Sequence, residues 1–474
     1  MSNTRTPYKT ALVAGFALTA FAVAAQAMAT EASRPHTPAG PQYFGGGTTV
    51  PTIGYAGKAA VSSSNPITAP SYSSSGGEVS AFGFYLNQLV ANPAATSLSY
   101  CQTGSDFGKY VFDGSGNAGK TCNPFVVGDQ LFPNSFGFGA TSQTFADFAA
   151  TDAPLSVAEY GSFSSNAGTS GSNNYGRGEA VQLPAAVSSI AVIYNNSDVA
   201  GRLNLTSSQL CQIFDGEVGN WNQLDASLPS KTIRLIYRGE SNAATYALSN
   251  HLNAVCNGDG ETYALDGKFS RVLPSPLPTG ASTSNFTASL GNPLETALVG
   301  QFDGALGYVE TANALAQSSS VKTALIDGKD PVLNLPEAAA SIPAFGIFSD
   351  VAVSAYVQNG RPGLDTLPAT TAGCVQLVLP GVYAVPSDGY PILSVSYLLF
   401  SSAGNGSKAS DLQKLGAFLS QATTYPAVTA GNPRVNTIDS SNSTGSGKAG
   451  IASFVLDGSV GSTVQAAAQN CIGS

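Results

Sequence analysis

The sequence contains few charged residues and almost no histidine. Only 10% of its 474 residues are Asp, Glu, Lys or Arg, well below the ~25% of a typical globular protein. With 20 Lys and Arg and a formal net charge of -9, the chain lacks the basic surface that binds a nucleic-acid backbone. Its two histidines, His36 and His251, leave little for a histidine-rich metal site or a Ser-His-Asp triad. These absences exclude nucleic-acid partners and many enzyme classes.

Long apolar runs are absent beyond the N-terminus, which has the pattern of a signal peptide. Arg5 and Lys9 precede an apolar run at residues 11–25, and small-residue cleavage sites follow it. This pattern predicts a signal peptide over 1–29 and an exported protein, periplasmic or secreted. An uncleaved membrane anchor is the alternative, but the run is shorter than the roughly 20 residues that span a bilayer. Residues 30–43 are predicted to be a linker.

The mature chain has the composition of a folded protein with an oxidised cysteine set. It is 43% hydrophobic, and its length suits two to four domains at about 150 residues each. Six cysteines in an exported chain allow fifteen pairings, and no Cys-x-x-Cys motif indicates zinc or a redox dithiol. Sequence proximity and elimination favour three disulfides: Cys101–Cys122, Cys211–Cys256 and Cys374–Cys471.

Apolar runs typical of strands alternate with segments that have helical spacing. Strands are predicted at 190–194 and 233–237. A helix is predicted after each strand. The apolar face of the first helix carries Leu210, Ile213 and Phe214, and that of the second carries Ala244, Leu248, Leu252 and Val255. The alternation indicates α/β units with mostly parallel sheets, in which ligands bind beyond the carboxyl ends of strands. The Gly- and Ser-rich stretch 161–178 is predicted to be a surface loop.

Four strand-to-helix loops carry short polar side chains. They are 45–51 (GGGTTVP), 103–106 (TGSD), 148–154 (FAATDAP) and 238–245 (RGESNAAT). Backbone N–H groups and hydroxyls at a helix start are suited to holding an oxyanion without a metal. Any one of these loops alone is more often ordinary helix-capping sequence.

Taken in order, the four loops resemble those of the phosphate-binding proteins of ABC importers, most closely the DING-type branch. The stretches LTSSQLCQIFDGEVGNWNQL at 205–224, GALGYVE at 304–310 and GYPIL at 389–393 extend the resemblance. It implies a type II periplasmic-binding-protein fold, α/β, with two lobes joined by hinge crossovers near 183–184 and 385–390. Lobe one would comprise 44–182 plus 390–474, and lobe two 183–389.

The resemblance also implies a set of phosphate-binding residues: Thr49, Val50, Ser105, Asp152, Arg238, Asn242, Ala243, Ala244 and Thr245, with Glu240 in support. Hydroxyls and amides would donate to the phosphate oxygens, and Arg238 would add a charge-assisted pair that Glu240 orients. Asp152 would accept the proton of hydrogen phosphate and so reject sulfate, which has none. As alternatives, Asp152 is a helix N-cap and Glu240 a solvated carboxylate. No catalytic residue, metal or cofactor is expected.

The fourth loop departs from the family's Arg-x-Glu-Ser-Ser-Gly-Thr-Thr pattern. Asn242, Ala243 and Ala244 replace Ser, Gly and Thr, which removes two hydroxyl donors at a cost of roughly 3 to 6 kcal/mol. The Asn242 amide would compensate by donating to the ligand, and Thr245 would reach in if the helix start shifts. A site of weak or altered oxyanion specificity remains an alternative, as does a phosphomonoesterase of the DING-like kind. The expected partners are inorganic phosphate and an ABC importer complex, with the protein a monomer.

Overall fold

The structure is a computed structural model that describes residues 42–56, 67–68, 81–88, 97–114, 126–127, 130–131, 145–167, 175–257, 262–274, 285–315, 320–342, 347–358, 360–367, 373–418, 452–453 and 458–474. These residues belong to a compact unit that runs from Gly40 to Ser474. The predicted signal peptide and most of the predicted linker lie outside the described residues. No helix in the described part has the length and apolar character to cross a membrane.

The strands are β1 Gln42–Gly47, β2 Ile67–Thr68, β3 Ser97–Gln102, β4 Val126–Val127, β5 Gln130–Leu131, β6 Ala149–Thr151, β7 Ala180–Asn195, β8 Asn204–Leu205, β9 Arg234–Arg238, β10 Phe286–Ser289, β11 Ala305–Glu310, β12 Lys322–Thr323, β13 Leu325–Ile326, β14 Ile347–Ser349, β15 Val351–Gln358, β16 Arg361–Thr366, β17 Gln376–Val378, β18 Leu393–Ser401 and β19 Ala452–Ser453.

The helices are α1 Thr52–Ala56, α2 Ala81–Gln88, α3 Ser105–Phe112, α4 Val157–Asn166, α5 Ser207–Phe214, α6 Trp221–Leu224, α7 Ala243–Cys256, α8 Phe269–Val272, α9 Gly291–Gln301, α10 Thr311–Leu315, α11 Leu335–Ser341, α12 Pro380–Tyr383, α13 Ala409–Ala417 and α14 Gly458–Cys471, with a 3₁₀ helix at Gly406–Lys408.

Two groups of parallel strands flank a central antiparallel pair in one sheet. The order is β10-β9-β11-β7-β18-β6-β1-β3-β2, with β12 and β19 also paired to β7. β1 lies parallel to β3 and β6, and β9 lies parallel to β10 and β11. β7 runs antiparallel to β11 and to β18, and β18 runs antiparallel to β6, so this central pair connects the two groups. Because parallel strands end at the same edge of a sheet, the loops after β1, β3 and β6 meet, as do those after β9 and β11.

The 16-residue strand β7 is almost wholly buried, and its sequence reads as a nearly continuous run of apolar and small residues, typical of a strand covered on both faces. Pro184 lies where the register against β18 shifts between Ser396 and Tyr397. Proline lacks an N–H group and is tolerated in strands at such irregularities. The shift falls at the point where the first hinge crossover was predicted.

Each group of parallel strands has its own apolar core. Tyr43, Tyr85, Tyr100 and Phe148 belong to the cluster beside β1 and β3. Trp221 lies in the cluster beside β9 and β11, fully buried, with its Nε1 donating to the Gly304 carbonyl at 3.0 Å. The single tryptophan is therefore a core residue of the second group.

The predicted helices at 210–214 and 244–255 are confirmed as α5 and α7. The prediction of a surface loop over 161–178 is wrong in its first part, because residues 161–166 belong to α4. A capping box between Ser156 and Glu159 starts this helix, and Phe163 is buried against the core. These local signals outweigh the serine-rich composition. Residues 168–174 lie outside the described residues.

Disulfides join Cys211 to Cys256 and Cys374 to Cys471, as the sequence analysis predicted. The first ties α5 to the end of α7, and the second ties the segment before β17 to α14. Cys122, the predicted partner of Cys101, lies outside the described residues.

The hairpin β15–β16 contacts segments that follow strands of both groups. Near one end, the Val353 N–H donates to the Leu155 carbonyl, close to β6. At its turn, the Gly360 carbonyl accepts from the Leu265 N–H at 2.7 Å, and Arg361 donates to the Asn250 side chain of α7. Ala352, Leu367 and Val375 join the core cluster of Phe112, Leu155 and Phe163. A segment predicted to belong to lobe two thus packs against residues predicted for lobe one.

Candidate functional site

The four predicted loops all lie at the carboxyl ends of parallel strands. Loop 45–51 follows β1, loop 103–106 follows β3, loop 148–154 follows β6 and loop 238–245 follows β9. We call the loops after β1, β3 and β6 the first wall, and the loop after β9 together with the end of β11 the second wall. The walls touch, because Thr49 Oγ1 on the first donates to Glu310 Oε1 on the second at 2.6 Å.

The first wall begins with a close backbone approach at Gly47. Its φ of 130° lies in the left-handed region, and a Cβ there would sit 2.0 Å from the Ala150 carbonyl oxygen. Only glycine fits, so the chain turns sharply and buries Thr48. Val50 is also buried, and its backbone N–H donates to Thr48 Oγ1 at 3.2 Å. One of the backbone donors of this loop is therefore used within the loop.

Asp152 lies buried in the first wall and both of its carboxylate oxygens are hydrogen-bonded. Ser396 donates to Oδ1 and Thr48 donates to Oδ2. Burial raises the pKa of Asp152 to about 7, although the two hydroxyls lower it and Glu310 adds repulsion. The alternative that Asp152 caps α4 is wrong, since Ser156 is the N-cap residue. A carboxyl group that titrates near neutral pH is suited to sharing a proton with a ligand.

Ser105 is the first residue of α3 and faces Asp152. Its Oγ accepts a hydrogen bond from the Asp152 N–H at 3.0 Å. A hydroxyl has one O–H to donate as well, so Ser105 retains a donor for a ligand. Beside it, Asp106 accepts from Ser241 Oγ at 2.6 Å, which is a second contact between the walls.

Arg238 ends β9 and supplies the positive charge of the second wall. Its Nε and Nη2 both donate to Glu240 Oε1, and its Nη1 donates to Asn292 at 2.5 Å. Burial alone would lower the pKa of Arg238, but Glu240, Glu310 and Glu295 together raise it. Among the described residues, three of the five guanidinium N–H groups are held in this way, which leaves two for an anion.

Glu240 is an orienting carboxylate and not a solvated one. Its side chain is 10% exposed, and Oε1 also accepts from the Gly291 N–H at 3.0 Å. The nearby Glu295 is fully buried, which raises its pKa well above the usual range despite Arg238 at 3.8 Å. The guanidinium is thus fixed from two sides before any ligand binds.

The altered residues of the fourth loop form the start of α7. The Asn242 Oδ1 accepts from the Thr245 N–H at 2.9 Å, and its Nδ2 donates to the Glu240 carbonyl and to Thr245 Oγ1. Thr245 Oγ1 lies 2.6 Å from the Tyr308 hydroxyl. Asn242 and Thr245 were expected to replace the missing hydroxyl donors. In the structure, both side chains are hydrogen-bonded within the protein. Ala243 and Ala244 contribute the backbone N–H groups that the first turn of a helix leaves free.

Sequence reasoning missed four residues around the site: Thr48, Asn292, Glu310 and Ser396. Glu310 had a signal, because it ends the motif GALGYVE and is the last residue of a buried strand. Ser396 had none, since it lies in the middle of β18, distant in sequence from every loop. Within the described residues, no group of three or more His, Cys, Asp or Glu is arranged to hold a metal.

The arrangement suits a small tetrahedral oxyanion. Two guanidinium N–H groups, the Ser105 hydroxyl and the first N–H groups of α3 and α7 supply donors, and α7 adds the positive end of its dipole. Asp152 and Glu310 supply acceptors, which an anion uses only if it carries its own proton.

Comparison with known proteins agrees with this geometry. Residues 109–422 match the family described as the PBP superfamily domain. Alkaline phosphatase L of Pseudomonas aeruginosa is 28% identical over 64% of this chain and 68% of its own length. A phosphate-binding protein from an unknown prokaryotic organism is 26% identical over 56% of this chain and 69% of its own.

Solved structures share the fold. A high-affinity periplasmic phosphate-binding protein, PfluDING, solved with phosphate, has a TM-score of 0.55 at 20% identity and covers 90% of this chain and 93% of its own. A human phosphate-binding apolipoprotein has a TM-score of 0.56 at the same identity and coverage. With two groups of parallel strands and a site at their carboxyl ends, this chain belongs to the PBP superfamily and has the type II periplasmic-binding-protein fold.

Proposed function

We propose that this protein binds inorganic phosphate between the two walls and performs no chemistry on it. The observation that carries the proposal is the pairing of a buried Arg238, with two N–H groups left for an anion, with a buried Asp152 across the same site. A cation alone would bind any oxyanion, whereas a cation together with a proton acceptor favours a protonated one. The relatives named as phosphate-binding proteins support the same ligand.

The proposed phosphate-binding residues have different roles. Thr49 and Ser105 hold the phosphate through their hydroxyls, and Val50, Ala243 and Ala244 hold it through backbone N–H groups, with the Val50 N–H shared between the ligand and Thr48 Oγ1. Arg238 neutralises the phosphate, and Asp152 accepts its proton. Glu240 keeps Arg238 in place. Asn242 and Thr245 act indirectly, by fixing the first turn of α7 so that its N–H groups point at the anion.

The proposed lobes are 44–182 plus 390–474, and 183–389, with the hairpin β15–β16 associated with the first. Thr49, Ser105 and Asp152 then belong to one lobe, and Arg238 and α7 to the other. A ligand that contacts both lobes favours the closed arrangement by its differential affinity for it.

The proposed location is the periplasm or the medium, after removal of residues 1–29. The proposed partner is the membrane complex of an ABC importer, in keeping with relatives such as the phosphate-binding protein PstS of Haemophilus influenzae, and the protein is proposed to act as a monomer without a cofactor.

The test is isothermal titration of phosphate, with sulfate as control, into mature protein that has been unfolded and refolded to remove carried-over ligand. Phosphate binding that excess sulfate does not displace supports the proposal. Failure of both phosphate and sulfate to bind or to raise the melting temperature contradicts it, and binding of both alike points to altered specificity.

Phosphomonoester hydrolysis is the second candidate, because a relative is named alkaline phosphatase L. The Asp152 carboxyl, with its pKa raised to about 7 by burial, is the group in the site suited to act as a base. Hydrolysis of a chromogenic phosphomonoester that Arg238→Ala abolishes would support this candidate. Hydrolysis that the substitution leaves unchanged would mark a contaminating enzyme.

A further inference from the structure

Glu310 is a buried carboxylate at the site. Phosphate binding as proposed above does not explain why it is there. It ends β11 and is 1% exposed. Its Oε1 accepts from Thr49 Oγ1 at 2.6 Å, and its Oε2 has no hydrogen-bond partner among the described residues. A second acidic group in an anion site is costly unless the ligand itself offers a proton.

The charged groups that act on Glu310 come from both walls. Asp152 lies on the first wall, Arg238 lies on the second, and Glu295 lies behind Arg238 on α9. Glu310 adds to the repulsion that raises the pKa of Asp152, after burial, and it helps to raise the pKa of Arg238. The site therefore contains two carboxylates, Asp152 and Glu310, against one guanidinium that Glu240 already neutralises.

The hydrogen bond between Thr49 and Glu310 fixes what Thr49 can offer a ligand. A threonine hydroxyl has a single proton and two lone pairs, and a carboxylate can only accept. The Thr49 hydroxyl proton is therefore engaged in the hydrogen bond to Glu310. The hydroxyl then presents lone pairs to the ligand, and it can bind only an oxygen that carries its own proton.

We propose that Glu310 makes the Thr49 hydroxyl a hydrogen-bond acceptor, so that the site selects a doubly protonated oxyanion, dihydrogen phosphate over hydrogen phosphate. One ligand proton is donated to Asp152 and the other to Thr49. This inference rests on the proposed phosphate-binding function and names the protonation state that the site takes. Glu310 acts through Thr49 and is a positioning residue.

Proton uptake is the measurable consequence. In alkaline solution phosphate is mainly the dianion, so binding it as the monoanion takes close to one proton from the buffer. Linkage then lowers the association constant about tenfold for each unit of pH rise. Binding of the dianion, which donates its single proton to Asp152, takes up no proton from the buffer.

The experiment is titration of phosphate into the mature protein between pH 8 and 9.5, in two buffers with different ionisation enthalpies, for the wild type and for Glu310→Gln. The glutamine amide is able to donate to Thr49 and so release its proton to the ligand. We expect the wild type to take up about one proton per phosphate and Glu310→Gln to take up none, with an affinity that no longer falls as the pH rises.

Thr49→Val, alone and combined with Glu310→Gln, is the second variant. Removing the hydroxyl should also abolish proton uptake, and adding Glu310→Gln should then change nothing further. Should Glu310→Gln fail to fold, Thr49→Val alone decides the question.

The failures are distinguishable. Phosphate binding without proton uptake in the wild type, or uptake that persists in both variants, overturns the role of Glu310 and leaves the phosphate site intact. Absence of phosphate binding to the wild type at every pH, including pH 6, overturns the proposed function itself.

Discussion

The two walls of the site are built from different chemistry. The first wall presents hydroxyls and a buried carboxyl group, with Thr48 and Ser396 both donating to Asp152. The second wall presents an ionic network centred on Arg238. In the proposed function, Arg238 on the second wall attracts the anion and Asp152 on the first wall accepts its proton, while Glu310 on the second wall acts on proton selection through Thr49. We therefore expect attraction for an anion and discrimination between anions to depend on different side chains, which can be altered separately.

Removing the charge of the second wall should have the largest effect. Arg238→Ala deletes two charge-assisted bonds to the ligand, worth roughly 3 to 6 kcal/mol, so phosphate affinity should fall about two to four decades. It also leaves Glu240 and Glu295 without their cation, so the melting temperature should drop. Calorimetric titration and thermal melts measure the two effects.

Arg234→Ala is the matched control, because Arg234 begins the same strand and stacks on Phe302 away from the site. An Arg238→Ala protein that bound phosphate as tightly as Arg234→Ala would refute the division between the walls.

Changing the first wall should alter selectivity more than affinity. Asp152→Asn removes the carboxylate that repels a fully ionised anion, so the preference for phosphate over sulfate should shrink about tenfold or more. Competition titrations with sulfate measure this ratio. A preference that stays at the wild-type value would show that Asp152 is not the discriminating group.

Asp152 should also make the stability of the ligand-free protein depend on pH. Burial raises its pKa from 3.8 to about 7 in the folded state, so the folded protein holds this proton to a higher pH than the unfolded chain does. The free energy of unfolding should therefore fall as pH rises from about 4 to about 7, by an amount on the order of a few kcal/mol. Denaturant melts across this range measure the slope.

In Asp152→Asn that slope should be reduced. Asp303→Asn is the control, because Asp303 is a surface carboxyl whose pKa is lowered to about 2 by Lys231 and Ser197. Equal slopes in the two variants would contradict the assignment to Asp152.

The smallest effect is expected for the cap of α7. Asn242→Ala removes the bond to the Thr245 N–H and should cost about 1 kcal/mol of stability. Because the Asn242 side chain bonds within the loop, phosphate affinity should fall less than tenfold. Thr206→Ala, which uncaps α5 away from the site, should match the stability loss without any loss of affinity. A much larger fall in affinity would mean that Asn242 donates directly to phosphate.

The sequence was sufficient to predict the loops and insufficient to predict the network that fixes them. Glycines, capping residues and buried strands are local signals, and they located Ser105, Asp152 and Arg238 at strand ends. Partners such as Ser396 and Asn292 come from distant segments, and only the packing of β18 and α9 brings them to the site. The role expected of Asn242 assumed a free amide, whereas a helix N-terminus needs its cap.

The hairpin β15–β16 is hydrogen-bonded to segments beside both walls. Its turn is bonded to Leu265 and Asn250, beside α7, while its other end is bonded to Leu155, beside β6. In the proposed two-lobe arrangement, separating the walls to release an anion would break one set of these bonds, whatever the anion is. We therefore expect the hairpin to lengthen the residence time of every ligand alike, without taking part in choosing among them.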